Sequence, residues 1–326
     1  MSQPVVPAWA AAEPASPAAT PVAVPALQLD HVSRWYGNVV AINDVSFALG
    51  AGVTGLLGPN GAGKSTLLHM MAGLLQPSAG QVLIRGRSAW RQPEIYRDIG
   101  LVPEKEAVHP YLSGYGFALL NAQLQGVPDP PAAATRAIET VDLADAAHRP
   151  TGTYSKGMRQ RAKIAGALVH EPSILLLDEP FNGMDPRQRL HMMDLLRSMA
   201  ADGRTILFSS HILEEVERLA DSILVVHAGR LAAAGDYRSI RRLMTDRPHT
   251  FTIRSSDDRR LAATLIADPA VFGADLTGGR LSVSTNDYAA FTRALPRLAA
   301  ATGITLHEVA PTNDSLESVF SYLVRR

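Results

Sequence analysis

Between about residues 27 and 246 the chain alternates short, continuously apolar runs with longer helix-like stretches. The apolar runs are VTGLLG (53–58), IGLVP (99–103), SILLLDEP (173–180), RTILFSS (204–210) and DSILVVHAG (221–229). None alternates apolar with polar residues, as a strand with one wet face would. Short, continuously apolar, β-branched runs are expected of strands buried on both faces, and helices between them predict a parallel sheet and an α/β fold. Over about 105–170 helix and proline replace that rhythm, which predicts an inserted helical subdomain. After 248 the pattern changes to HTFTIRSS, RLSVSTND and ITLHEVA, with helical stretches between and SLESVFSYLV at the end. This predicts a small C-terminal α+β domain over 248–326. Residues 1–26 are rich in Pro and Ala with Glu13 as the sole charge. They have no basic start and prolines interrupt every apolar run, so a disordered tail is expected rather than a secretory signal.

Composition narrows the choice of partners. The 326 residues are 46% apolar, enough for a sizeable core. Lys plus Arg and Asp plus Glu each total 31, so the formal net charge is zero and nucleic acid is not expected as the main partner. The absence of cysteine excludes disulfides, thiolate zinc sites and cysteine nucleophiles, and fits a reducing cytoplasm. No apolar run approaches the roughly 18 residues needed to span a bilayer. Work at a membrane would require another chain to provide the span.

The candidate chemistry begins at GPNGAGKST, Gly58-Pro59-Asn60-Gly61-Ala62-Gly63-Lys64-Ser65-Thr66. It follows the strand-like VTGLL and precedes the helical STLLHMMAGLL, the context of a P-loop. Glycines let backbone amides curl around phosphates, and the helix N-terminus favours negative charge. Lys64 reaches the β- and γ-phosphates, and Ser65 places its hydroxyl on Mg²⁺. The run ILLLDEP then ends a buried strand in two acids. Asp178 is placed to hold Mg²⁺, and Glu179 to orient or deprotonate an attacking water. His211 ends a second apolar strand and is the candidate γ-phosphate contact.

The ordered set resembles the ATP-binding subunits of ABC transporters, over about 220 residues from Leu27 to about Asp246. Tyr36 in RWYGNVVAINDVSF matches the aromatic that stacks on adenine, Gly58 to Thr66 the Walker A loop, and ILLLDEP the Walker B strand with its catalytic glutamate. Gly183 to Pro186 (GMDP) match the D-loop, and His211 the switch histidine. YSKGM matches the family signature, usually L-S-G-G-Q, in Ser155, Lys156, Gly157 and Met158. Three positions depart from the pattern: Tyr154 replaces leucine, Lys156 the first glycine and Met158 the glutamine. Glu104, in IGLVPEKEAVHPYL, stands where the family has a Mg²⁺-contacting glutamine.

The resemblance implies a P-loop ABC cassette that hydrolyses ATP with Mg²⁺. The helix begun by Ser155 would close in trans over the ATP of a second subunit, in a homodimer or a pair with a related ATPase. A separate transmembrane permease would carry the cargo, with this chain peripheral on the cytoplasmic face of the membrane. The family's groove for a coupling helix lies near HPYLSGYGFALL, where Tyr111, Leu112, Tyr115 and Phe117 either line it or form subdomain core. The C-terminal segment resembles the tail of two-component exporter ATPases, with dimer support or regulation both open as its role. The alternative is a soluble ABC-type ATPase acting on nucleic acid or the ribosome. Such proteins usually carry two cassettes or long insertions. A P-loop kinase or GTPase would lack both the signature and His211.

Overall fold

The structure, a computed structural model, describes residues 24–105, 108–236, 249–277 and 280–311. Strands β1 (Leu27–Tyr36) and β2 (Val39–Leu49) form an antiparallel hairpin turning at Gly37. Strand β3 (Gly52–Leu57) leads through the glycine-rich loop into α1 (Lys64–Met71). Strands β4 (Ala79–Ile84) and β5 (Arg87–Ser88) complete a four-stranded sheet in the order β2-β1-β4-β5.

The second sheet begins with β6 (Ile99–Val102). Helices α2 (Gly114–Leu124), α3 (Pro130–Thr140) and α4 (Lys156–Leu168) interrupt it, forming the predicted helical insertion. It resumes with β7 (Ile174–Leu177), α5 (Pro186–Ala201), β8 (Thr205–Ser210), α6 (Leu213–Leu219), β9 (Ser222–His227) and β10 (Arg230–Gly235). Its order is β10-β9-β3-β8-β7-β6, parallel throughout except for the β9–β10 pair. The five apolar runs are its five parallel strands.

Both faces of this sheet are covered, which explains why its strands do not alternate. Leu175, Leu177, Ile206 and Phe208 pack with Ile164, Met192 and Leu196 of the helices. Their neighbours Ile174, Leu176 and Leu207 point the other way, into a core with Leu67 and Leu68 of α1 and Ile42 and Val45 of β2.

The later residues carry a sheet and core of their own. Strand β11 (His249–Ser255), α7 (Asp258–Leu265), β12 (Gly273–Thr277), β13 (Arg280–Thr285), α8 (Tyr288–Thr302) and β14 (Leu306–Pro311) build an antiparallel sheet in the order β12-β13-β11-β14. Phe251, Ile253, Val283, Leu261 and Phe291 meet in its core. The expected N-terminal tail through residue 23, the boundary near 246–248 and the terminal SLESVFSYLV lie outside the described residues. No helix among the described residues is long and apolar enough to cross a membrane.

Candidate functional site

Strands β3, β8, β7 and β6 are successive parallel neighbours, so their C-terminal ends lie side by side. That edge is where open α/β sheets bind ligands. The four ends deliver the glycine-rich loop, Ser209 to His211, Asp178 and Glu179, and Glu104. Asn60, Gly61, Gly63, Lys64, Ser65, Thr66, Glu104, Asp178 and Glu179 line one cleft with Ala41, of about 330 Å³.

The loop is shaped by contact as much as by its own sequence. Gly63 has φ 104°, and a Cβ there would stand 2.5 Å from Ile42 Cδ1 and 2.8 Å from the Ala41 carbonyl oxygen. Only glycine suits both the backbone angle and the space. β2 thus presses on the loop, a role for Ala41 that local motif spacing does not reveal. Gly63 caps α1 without a side-chain bond. The first-turn amides have no intrahelical acceptor, which makes this end an anion site. Lys64 is buried, and its Nζ donates to the carbonyls of Gly58 (2.7 Å) and Pro59 (3.3 Å). Gly58, Pro59 and Ala62 support the loop without lining the cleft. The Ala62 amide donates to the Pro59 carbonyl and its own carbonyl accepts from Gly229.

The two acids sit beside each other in different settings. The Ser209 hydroxyl, wholly buried, donates to Asp178 Oδ1 at 2.6 Å and accepts from the Glu179 amide at 2.8 Å. It locks the turn in which Glu179 takes the left-handed φ of 50°, unusual for a non-glycine residue. Sequence reasoning missed Ser209; the available signal was a hydroxyl at the end of the otherwise apolar TILFSSH. Glu179 is buried, and its Oε2 meets His211 Nδ1 at 2.9 Å while the His211 side chain is 52% exposed. Burial pushes the Glu179 carboxyl above the usual glutamate range. His211 and Lys64 pull against that shift, while Asp178 reinforces it.

The remaining candidates stand outside the cleft. Tyr36 ends β1, half exposed, with the Arg34 guanidinium 4.6 Å above its ring. Ser155 and Lys156 are exposed at the start of α4, and Ser155 Oγ accepts from the Met158 amide at 3.2 Å. Met158 packs against the helical core. Gly157 is buried against the D-loop. A Cβ on it would lie 2.8 Å from Gln188 Oε1 and 3.0 Å from the Gly183 carbonyl, and one on Gly183 would lie 2.6 Å from Lys156 Cβ. The start of α4 and the D-loop are therefore in backbone-close contact within one chain.

The structure accounts for Tyr154. Its ring is buried and its hydroxyl donates to the Ala146 carbonyl at 2.6 Å, a bond leucine has no atom to make. Burial raises the phenol pKa, so it remains a neutral donor. Tyr154→Phe leaves that carbonyl with the Arg149 amide as its remaining donor and is expected to cost about 1 kcal/mol, the net value of one buried hydrogen bond. A lower urea midpoint with ATP affinity unchanged checks this; an unchanged midpoint refutes it.

The four aromatic and apolar residues after Glu104 part company. Phe117 lines a second groove, with Leu74, Tyr96, Leu101, Pro103 and Asn121 among its walls. Tyr115 packs on the helical core, its ring 5.3 Å from that of His148. Tyr111 is 87% exposed. Leu112 is partly buried, and its backbone pairs with His109 and Thr151.

Known proteins show the family. A family model described as ABC transporter matches residues 42–182. The daunorubicin resistance ATP-binding protein DrrA3 of Streptomyces coeruleorubidus is 33% identical over 302 residues, 91% of this chain and 95% of its own length. A Nod factor export ATP-binding protein I of Rhizobium leguminosarum bv. viciae is 38% identical over 64% of this chain and 69% of its own length. A solved ATP-binding subunit of an ABC transporter is 32% identical with a TM-score of 0.61, covering 66% of this chain and 92% of that one. The chain belongs to the ATP-binding subunits of ABC transporters, ATPases that power a membrane transporter.

Proposed function

We propose that this chain drives export through a separate membrane-spanning partner, hydrolysing ATP at two composite sites shared by a pair of such chains. One observation carries the reading. Lys64, Glu104, Asp178 and Glu179 surround one cleft, while the helix start at Ser155 is exposed outside it. An exposed helix start that does not line its own cleft is suited to the cleft of another copy in a two-fold pair.

Within each site the roles follow from the chemistry. The loop amides and Lys64 cradle the phosphates, and Lys64 exchanges the Gly58 and Pro59 carbonyls for phosphate oxygens. Tyr36 offers its ring to the adenine. Ser65, Asp178 and Glu104 offer hard oxygen donors in one cleft. Mg²⁺ favours such a partial set, one or two carboxylates with phosphate oxygens completing its shell. When bound, the ion offsets charge on the β- and γ-phosphate oxygens. Glu104 brings a negative charge where the family's glutamine brings none. Glu179 accepts the proton of the attacking water, held by Ser209 through its amide and by His211 through its carboxylate. His211, half exposed, is positioned to contact the γ-phosphate.

Export is supported by relatives named for Nod factor export and daunorubicin resistance. The alternative of a nucleic-acid or ribosome ATPase has no such support. On this reading the chain sits on the cytoplasmic face of a membrane, held there by its partner at the Phe117 groove. Leu74 is 61% exposed on that groove's wall. Leu74→Glu should leave ATP affinity unchanged and cut recovery of the polytopic partner, in detergent pull-downs from host membranes, about tenfold. Undiminished recovery would remove the groove as the docking site. Wild-type protein that co-purifies with ribosomes or DNA, and with no membrane protein, would overturn the function.

A further inference from the structure

Helix α4 begins at the signature and runs through the interior. Its buried residues 157, 160 and 163, spaced by three on the helix, touch three segments, two of which carry cleft residues. Gly157 meets the D-loop, Gln160 Nε2 lies 3.5 Å from the Glu179 carbonyl, and Lys163 reaches the loop after β6. The Lys163 ammonium donates to the carbonyls of Pro103 (2.8 Å), Glu104 (3.2 Å) and Lys105 (3.4 Å). A buried ammonium that donates to three successive carbonyls ties that stretch of backbone to the helix. Glu104 and Lys105 are themselves exposed, so apolar packing does not fix this stretch. The hydrogen bonds do.

We propose that Lys163 is a positioning residue for ATP hydrolysis: its ammonium fixes the Pro103–Lys105 backbone and so the place of the Glu104 carboxylate in the cleft. This rests on reading Glu104 as a cleft ligand for the nucleotide's metal. Pro103 and Lys163 also line the Phe117 groove, on its side nearest this loop. The same three bonds therefore join the groove wall to the cleft.

Lys163→Met keeps the length and apolar stem and removes every donor. In nucleotide-free protein, tryptic cleavage after Lys105 should rise about fivefold, because the loop opens without its clamp. The kcat for ATP should fall about tenfold, with the dissociation constant for ATP within twofold, since the Lys64 cradle is untouched. Lys163→Arg, a long cation able to reach the same carbonyls, should restore both readouts to within about twofold. In a Glu104→Ala background, Lys163→Met should add less than about twofold to the loss, because the group it positions is gone. Unchanged Lys105 cleavage, or a tenfold loss that persists in Glu104→Ala, would overturn the proposal. If Lys163→Met does not fold, Lys163→Gln carries the same comparison with a shorter neutral donor. Wild-type protein without ATPase activity would refute the function proposed above, while the cleavage readout would still test the clamp.

Discussion

Glu179→Gln is expected to lower ATP hydrolysis about a thousandfold while ATP binding stays within a few-fold of wild type. The amide has the shape of the carboxylate and still meets His211, but it cannot take a proton from water. Lys64 and the loop amides, which supply the affinity, are unaltered. The pH dependence follows from burial. The Glu179 carboxyl is held above the usual glutamate range, so the base form appears only above that raised pKa. Activity should therefore fall as pH drops through it, and the residual rate of the variant should lack this limb. Stability moves in the opposite sense. A carboxyl whose folded pKa is raised stabilises the fold below its unfolded pKa, and that contribution is lost as pH rises through the folded value. Glu179→Gln should accordingly be the more stable protein at pH 8 in urea unfolding. Retention of full ATPase activity would remove Glu179 as the base.

The core sheet was legible because burial on both faces leaves a strand no reason to alternate. Ile174 to Leu177 are four buried residues in a row, and nothing else in the chain reads like ILLL followed by two acids. The first sheet was not foreseen. Its strands are wet on one side, and repeated register shifts between β1 and β2 break the two-residue period that would announce them. In β2 the buried positions are Ile42, Val45 and Leu49, spaced by three and four, so the period resembles a helix more than a strand. β12, GADLT, has no apolar rhythm at all. The helical insertion and the C-terminal strands β11, β13 and β14 fell where the pattern placed them.

At the site, what was legible was contiguous. The loop from Gly58 to Thr66 carries its glycines, lysine and hydroxyls within nine residues, so their order alone announces it. What was not legible depends on strand order. Ser209 reaches Asp178 only because β8 lies beside β7, and Lys163 reaches Pro103 across 60 residues of sequence. The Gly157–Gly183 contact likewise needs the helix and the D-loop in place. Neither residue type nor spacing along the chain announces these pairings. Tyr154, a departure from the family's leucine, becomes intelligible once its hydroxyl is seen on the Ala146 carbonyl.

The second large effect concerns Lys64 and Ser155 together. Lys64→Ala removes a charged donor to the phosphates, worth roughly 1.5–3 kcal/mol, so ATP binding should weaken about ten- to a hundredfold and turnover should fall further. Ser155→Arg crowds the exposed start of α4 with a long cation and removes the oxygen that accepts from the Met158 amide. Loss of that cap costs about 1 kcal/mol, too little to unfold the chain. Each variant alone should be nearly inactive, for different reasons: the first lacks a cradle, the second a lid for its partner's cradle. Mixing them discriminates. In a mixed pair, one site joins the defective loop of the first chain to the defective helix of the second. The other joins two intact halves. Random pairing makes half the dimers mixed, each with one intact site, so a 1:1 mixture should recover up to about a quarter of wild-type ATPase activity. Sites built within single chains would gain nothing from mixing. A mixture as inactive as its parts, with both variants shown to pair, would leave the exposed helix start at Ser155 without a role in the partner's site.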